Sequence, residues 1–92
     1  MKIDIKKFGT ILISRPAGRE AALAALAYSI PKNGTETIEL DFSDIDVLTP
    51  SWMDEFLQTL TQQIPMERFN IVEGKNASVH MTMKTIQELM TP

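Results

Sequence analysis

The sequence predicts an α/β fold in which a mixed sheet of about four strands packs against three helices. Strand-type and helix-type patterns alternate along the chain in the order β-β-α-β-α-β-α. Prolines at positions 16, 31, 50, 65 and 92 separate the patterned segments. A length of 92 residues with 43% hydrophobic residues suffices for one modest core. We therefore expect a single domain over residues 1–92.

The N-terminal segment predicts two strands. Residues 2–8 alternate through Ile3 and Ile5, as a short edge strand does. Gly9 and Thr10 can turn the chain, and residues 11–13 are an apolar run typical of a buried strand. The two segments predict a β-hairpin. An edge strand can pair with another chain, so a homodimer through residues 2–8 is one expectation.

A first helix is predicted from Pro16, which suits the first helical turn, to the breakers at Pro31 and Asn33-Gly34. Its spacing of i, i+3, i+4 and i+7 predicts one buried face. That predicted face comprises Leu23, Leu26, Ala27 and Ile30.

Residues 36–42 alternate between apolar and polar side chains and predict a strand with Ile38, Leu40 and Phe42 on its buried face. A loop is expected over residues 44–48. Two starts are possible for the second helix. Thr49 can cap a helix whose first residue is proline, or Ser51 can cap it with an acid three residues later. The predicted apolar face of this second helix comprises Trp52 or Met53, Phe56, Leu57, Leu60 and Ile64.

Residues 68–72 predict another strand, and residues 77–90 predict a third helix with its apolar side on Val79, Met83, Ile86 and Met90. Strands that alternate with helices imply a largely parallel sheet with right-handed crossovers. The three methionines of this helix (Met81, Met83 and Met90) form either an adaptable binding face or a core-facing side with one exposed residue.

Composition excludes several classes of site. The chain has no cysteine, which excludes disulfides and cysteine-ligated metal centres, and it has one histidine. His80 lies off the apolar line of the third helix, so we expect it to be exposed or half-buried. No cofactor motif is present, and no cofactor is expected.

The charge distribution indicates where partners are to be sought. Residues 36–55 carry seven carboxylates and no basic residue, which argues against nucleic acid as a partner. No apolar run is long enough for a membrane span, and no secretory signal precedes the first strand. We therefore expect a cytoplasmic protein without a membrane partner.

The segment from Ile38 to Leu60 resembles the STAS-like family of small bacterial domains, relatives of anti-sigma-factor antagonists. The resemblance is carried by Leu-Asp-Phe at the end of a strand (residues 40–42) and by Trp-Met-Asp-Glu at the start of a helix (residues 52–55). Ser-Arg at residues 14–15 and Asn-Ala at residues 76–77 add to it. It covers about residues 10–88.

The resemblance implies a small STAS-like sandwich and a non-enzymatic regulatory role. In the antagonists, a partner kinase phosphorylates the serine that opens the second helix, and this stops binding. That serine corresponds to Ser51, where this chain has Thr-Pro-Ser-Trp (residues 49–52) in place of Asp-Ser-Ser-Gly. The implied partner is a histidine-kinase-like ATPase or a sensor kinase, and Thr49 lies within the implied docking region.

Several residues admit two interpretations. Ser51 is a phosphorylation switch or a helix cap, and Trp52 is an interface anchor or a core residue. Arg15 with Asp54 and Glu55 forms a crevice for a partner, small ligand or nucleotide, or an ion pair that holds two helix starts. The aspartates at positions 41, 44 and 46 form a magnesium or catalytic carboxylate site, or a solvated loop.

Overall fold

The computed structural model describes residues 1–31 and 34–90, with only the backbone of Met90 included. Five strands and three α-helices occur in this part of the chain. The strands are β1 (Lys2–Asp4), β2 (Ile11–Leu12), β3 (Ile38–Asp41), β4 (Val47–Leu48) and β5 (Phe69–Val72). The helices are α1 (Arg15–Tyr28), α2 (Pro50–Thr61) and α3 (Ala77–Met90), with short 3-10 helices at Ile5–Phe8 and Met66–Arg68.

The strands form two parallel sheets. The main sheet has the order β1-β3-β5, and the small sheet pairs β2 with β4. Ile3 lies opposite Leu40, and Leu40 lies opposite Ile71, while Leu12 lies opposite Leu48 in the small sheet. The expected parallel pairing is therefore confirmed, but the predicted single mixed sheet is wrong, because the described strands divide between two sheets and every pair is parallel.

The predicted N-terminal hairpin is wrong. Residues 5–8 form a 3-10 helix that Asp4 caps by accepting a hydrogen bond from the Lys6 amide. The helix ends at Gly9, whose φ of 116° lies in a region that other residues rarely adopt. This 3-10 helix separates β2 from β1, and the two strands belong to different sheets. The loop predicted over residues 44–48 contains β4, which brings the strand count to five instead of four.

The buried face of α1 also differs from the prediction. Leu26 and Ile30 are buried as predicted, but Leu23 and Ala27 are exposed. The other buried positions of the helix are Gly18, Ala21, Ala22 and Ala25. The reason is the close approach of α2. A Cβ atom added to Gly18 would lie 2.3 Å from the carbonyl oxygen of Trp52. Small residues therefore line the α1 face that meets α2, and larger apolar residues do not fit there.

The buried faces predicted for β3, α2 and the described part of α3 are confirmed. Ile38, Leu40 and Phe42 are fully buried. The apolar positions predicted for α2 and its C-terminal extension are all buried. In α3, Val79, Met83 and Ile86 are buried, while the side chain of Met90 lies outside the described part. Likewise, the helix breaker predicted at Asn33 falls outside the described residues.

Candidate functional site

The starts of α1 and α2 lie side by side because the strands that lead into them are paired. The Thr49 amide donates a hydrogen bond to the Leu12 carbonyl at 3.0 Å. Ser14 caps α1 by accepting from the Ala17 amide. Both helices therefore begin at the carboxyl ends of the small-sheet strands, the edge at which open α/β sheets bind ligands.

Thr49, and not Ser51, caps α2. Its hydroxyl accepts from the Trp52 amide at 3.3 Å and donates to the Ile13 carbonyl at 2.5 Å. Pro50 is the first residue of the helix, so the first of the two predicted starts is the one adopted. Ser51 is the second residue, and the structure contradicts its interpretation as a cap. Its side chain is exposed and forms no hydrogen bond with the described residues.

The predicted juxtaposition of Arg15 with Asp54 and Glu55 is present. Arg15 Nη1 lies 2.7 Å from Asp54 Oδ2 and 3.3 Å from Glu55 Oε1. The hydrogen bond that Arg15 donates to Asp54 and, to a lesser extent, the one to Glu55 raise the pKa of the guanidinium. The hydrogen bond from Arg15 lowers the pKa of Asp54. Ser51 precedes the two acids by three and four residues, so all three share one face of α2.

Cavities flank this ion pair on both sides. One of about 280 Å³ is lined by Arg15, Pro16, Arg19 and Glu55. A second of about 320 Å³ lies between α2 and α3, with Asp54 in its wall. Its other lining residues are Leu57, Gln58, Thr61, Met66, Ile86 and Leu89. The ion pair that fixes the two helix starts therefore also borders space that a ligand could occupy.

An exposed apolar strip lies beside the helix starts, and sequence reasoning missed it. Ile11, Ile13 and Val47 are 61%, 54% and 37% exposed. Residues 11–13 were expected to be buried, but only Leu12 is, because the small sheet has one face on the core. Ile11 lies opposite Val47 across the two strands, and Ile13 follows on the same face. Alternate side chains of this strand are exposed, but because all three residues are apolar, the sequence does not show the alternation.

The side chain of Trp52 lies in the core and is unavailable as an interface anchor. It is 1% exposed, and its ring stacks on Phe56 with 4.7 Å between centroids. Phe42 meets the indole edge-on at 6.5 Å. The residue therefore holds α2 against β3, as the core interpretation expects.

Of the three candidate aspartates, Asp41 and Asp44 bond to different partners, while the exposed side chain of Asp46 bonds to no described residue. Asp41 accepts hydrogen bonds from both the hydroxyl and the amide of Ser43, and these bonds, together with Lys2 at 3.1 Å, lower its pKa to about 2. Asp44 pairs with Lys6 at 3.7 Å. Over residues 1–31 and 34–90, no three acidic or histidine side chains form a cluster suited to a metal ion.

His80 is exposed, and its ring contacts the turn that precedes α3. Its Nδ1 lies 3.0 Å from Glu73 Oε1, and its Nε2 lies 2.9 Å from the Gly74 carbonyl oxygen. Both ring nitrogens are therefore engaged at this turn. Met81, one residue later, is 68% exposed, whereas Met83 is buried. The methionines of α3 were expected to form either an adaptable binding face or a core-facing side with one exposed residue. Met81 and Met83 agree with the second interpretation.

Within the described residues, no helix is long and apolar enough to cross a membrane. Residues 24–78, more than half of the chain, match the family described as "STAS-like domain of unknown function (DUF4325)". The chain belongs to this family. No curated protein and no solved structure gives a significant match. The matched part of this STAS-like domain includes Thr49, Ser51 and Glu55, whereas Arg15 and β2 precede it.

Proposed function

We propose that this STAS-like domain is a non-enzymatic regulatory domain that binds a protein partner at the starts of α1 and α2. The docking region, called the helix-start surface below, comprises Ile11, Ile13, Arg15, Val47 and Ser51. Phosphorylation of Ser51 would switch this binding off. The observation that supports the proposal is the exposed Ser51 hydroxyl, which bonds to no described residue and comes two residues after Thr49, whose hydroxyl bonds to Ile13 of the exposed apolar strip.

The apolar strip supports protein binding. Contiguous apolar side chains at a surface are typical of protein interfaces. Ile11 and Val47 belong to paired strands, and Ile13 is linked through its carbonyl to the cap of α2. The strip is therefore held rigidly and would lose little conformational entropy on docking.

The position of Ser51 supports control by phosphorylation. A phosphate would add a charge of about −1.5 to −2 beside the apolar strip. A partner that covers the strip would then have to desolvate that charge. Asp54 and Glu55 share the face of α2 with Ser51, and their pairing with Arg15 reduces their repulsion of a phosphate.

The choice of partner rests on the resemblance of the sequence to anti-sigma-factor antagonists. By that resemblance, the partner we propose is a histidine-kinase-like ATPase or a sensor kinase. Isothermal titration of the domain with such a kinase encoded beside its gene tests this. We expect wild type and Ser51→Ala to bind equally, and Ser51→Asp to bind about tenfold more weakly or not at all.

The matched control is Ser29→Asp, which makes the same change at the C-terminal end of α1 and should leave binding unchanged. Circular dichroism should show that all variants fold. Normal binding by both Ser51 variants would contradict the switch. If the wild-type domain fails to bind, this partner is excluded.

A second candidate function is small-ligand or nucleotide sensing in the crevice of Arg15, Asp54 and Glu55. The supporting observation is the cavity of about 280 Å³, because Arg15 and Arg19 both line it and arginines bind phosphate well. Thermal unfolding with ATP or GTP tests this. The candidate requires a stabilising shift that Arg15→Ala removes, and it fails if neither nucleotide raises the melting temperature.

A further inference from the structure

The turn between β5 and α3 packs closely against the loop that follows β3. A Cβ atom added to Gly74 would lie 2.7 Å from Cα and 2.9 Å from Cβ of Ser43. Gly74 has a φ of 76°, in a region that other residues rarely adopt. Asn76, two residues later, donates from its side chain to the Asp46 carbonyl at 3.1 Å. Contacts with the loop over residues 43–46 therefore fix one side of this turn.

His80 connects the other side of the turn to α3. Its Nδ1 lies 3.0 Å from Glu73 Oε1, and its Nε2 lies 2.9 Å from the Gly74 carbonyl oxygen. A carbonyl oxygen and an ionised carboxylate can only accept hydrogen bonds. A neutral imidazole ring has one N–H donor, whereas the protonated ring has two. Only the protonated ring can therefore donate to both groups of the turn.

The charge of the protonated ring is balanced by one carboxylate. Within the part of the chain that the structure describes, Glu73 is the acid that forms an ion pair with the ring. On the loop over residues 43–46, Asp44 pairs with Lys6 instead. The basic residues that come near His80 along the chain are Lys75 in the turn and Lys84, one helical turn later on α3. Both lysines are exposed, so water and salt screen their repulsion of the ring.

We propose that His80 is a pH-sensitive latch on the β5–α3 turn. The doubly protonated ring holds both Glu73 and the Gly74 carbonyl. Loss of one proton leaves a single donor, which stays with the carboxylate because hydrogen bonds to ionised groups are stronger. The bare nitrogen then faces the Gly74 carbonyl oxygen, and the turn is released from α3. Histidine side chains change charge between about pH 5 and pH 8, so the latch operates in that range. It does not involve Ser51 and is independent of the proposed function.

The test uses the full 92-residue chain labelled with ¹³C and ¹⁵N, in which the ring signals are unambiguous because His80 is the one histidine. We expect a nuclear Overhauser contact between the ring and Gly74 at about pH 5 and its loss at about pH 8. The heteronuclear Overhauser effect of the Gly74 and Lys75 amides, which reports their mobility, should fall over the same range. Its midpoint should coincide with that of the ring titration.

Three variants identify the groups responsible. His80→Gln, which carries no titrating group at this position, should abolish the pH response of the turn. Glu73→Gln should reduce the response, because the neutral ring then has no carboxylate to prefer over the Gly74 carbonyl. The matched control Glu88→Gln changes an exposed acid elsewhere on α3 and should leave the response unchanged. Circular dichroism should show that all three variants fold.

The wild-type titration alone can overturn the latch. Retention of the contact between the ring and Gly74 at about pH 8 does so, as does unchanged mobility of the turn across the ring titration. The same pH response in His80→Gln also overturns it, because another group would then drive the change. Equal responses in Glu73→Gln and Glu88→Gln contradict the preference of the ring for Glu73, and with it the mechanism of release.

Discussion

At the residue scale, Thr49 and Ser51 illustrate how similar side chains two positions apart serve different purposes. Thr49 links the start of α2 to Ile13, directly after β2. The Ser51 hydroxyl forms no hydrogen bond with the described residues. We expect Thr49→Ala to lower the free energy of unfolding by about 1 kcal/mol, as loss of a cap does. Ser51→Ala should change it by less than about 0.5 kcal/mol. Urea unfolding of both variants measures this, and the reverse order would contradict the cap assignment.

Asp41 makes stability depend on pH. Its folded pKa of about 2 lies below the ordinary value of 3.8, mainly because Ser43 donates two hydrogen bonds to the carboxylate. A lowered pKa stabilises the fold above the ordinary value, and this contribution is lost as the pH falls from about 4 to 2. It is worth at most about 2 kcal/mol.

Asp41→Asn should therefore reduce the loss of stability between pH 5 and pH 2, measured by urea unfolding at each pH. Asp44→Asn is the matched control, since Asp44 is exposed and its ion pair is long at 3.7 Å. An unchanged pH dependence in Asp41→Asn would show that other carboxylates carry the acid sensitivity.

At the scale of elements, the contact between α1 and α2 depends on Gly18. A methyl group there would meet the Trp52 carbonyl oxygen at 2.3 Å, and main chain cannot move aside as a flexible side chain does. Gly18→Ala should force the helices apart and cost about 1–3 kcal/mol despite the better helix propensity of alanine.

Urea unfolding measures the cost, with Ala27→Leu as the matched control. That substitution adds bulk to an exposed position of the same helix and should change stability by less than about 0.5 kcal/mol. Stabilisation by Gly18→Ala would show that the two helices lie further apart than the structure has them.

Long, periodic elements could be predicted from the sequence together with their burial, whereas the two-residue strand β4 was missed and the partner of β2 was predicted wrongly. Residues 36–42 and the face of α2 alternate clearly enough to indicate both type and burial. β2 and β4 have two residues each, so neither is long enough to repeat the two-residue alternation of a strand. Their pairing is decided by contacts between distant segments, such as the Thr49 amide with the Leu12 carbonyl.

At the scale of the whole molecule, one core joins both sheets. The buried apolar residues form a single cluster that includes Leu12 and Leu48 of the small sheet and Ile3 and Leu40 of the main sheet. We therefore expect one cooperative unfolding transition. Trp52 fluorescence and far-ultraviolet circular dichroism should give the same midpoint in urea. Separate midpoints would mean that the small sheet unfolds independently.

The candidate site was predictable in part, for reasons visible in particular residues. Arg15, Asp54 and Glu55 were expected together because both stretches begin helices on neighbouring connections of the predicted sheet, although the strand that leads into α2 is β4, which was predicted as a loop. The cap of α2 stayed ambiguous because Thr49 and Ser51 both have a hydroxyl. Only the pairing of β2 with β4 places Thr49 near Ile13 and decides between them.

The sequence by itself determined the α/β class, the three helices, the largely parallel strand pairing and the family to which the chain belongs. These follow from local periodicity, breakers and residue order, which act along the chain. The tertiary structure alone decided which face of α1 is buried, that β1 and β2 lie in separate sheets, and that Ile11, Ile13 and Val47 are exposed. Each of these depends on which distant segment packs against the element. Apolar residues can pack against many partners, so their positions in the sequence do not identify that segment.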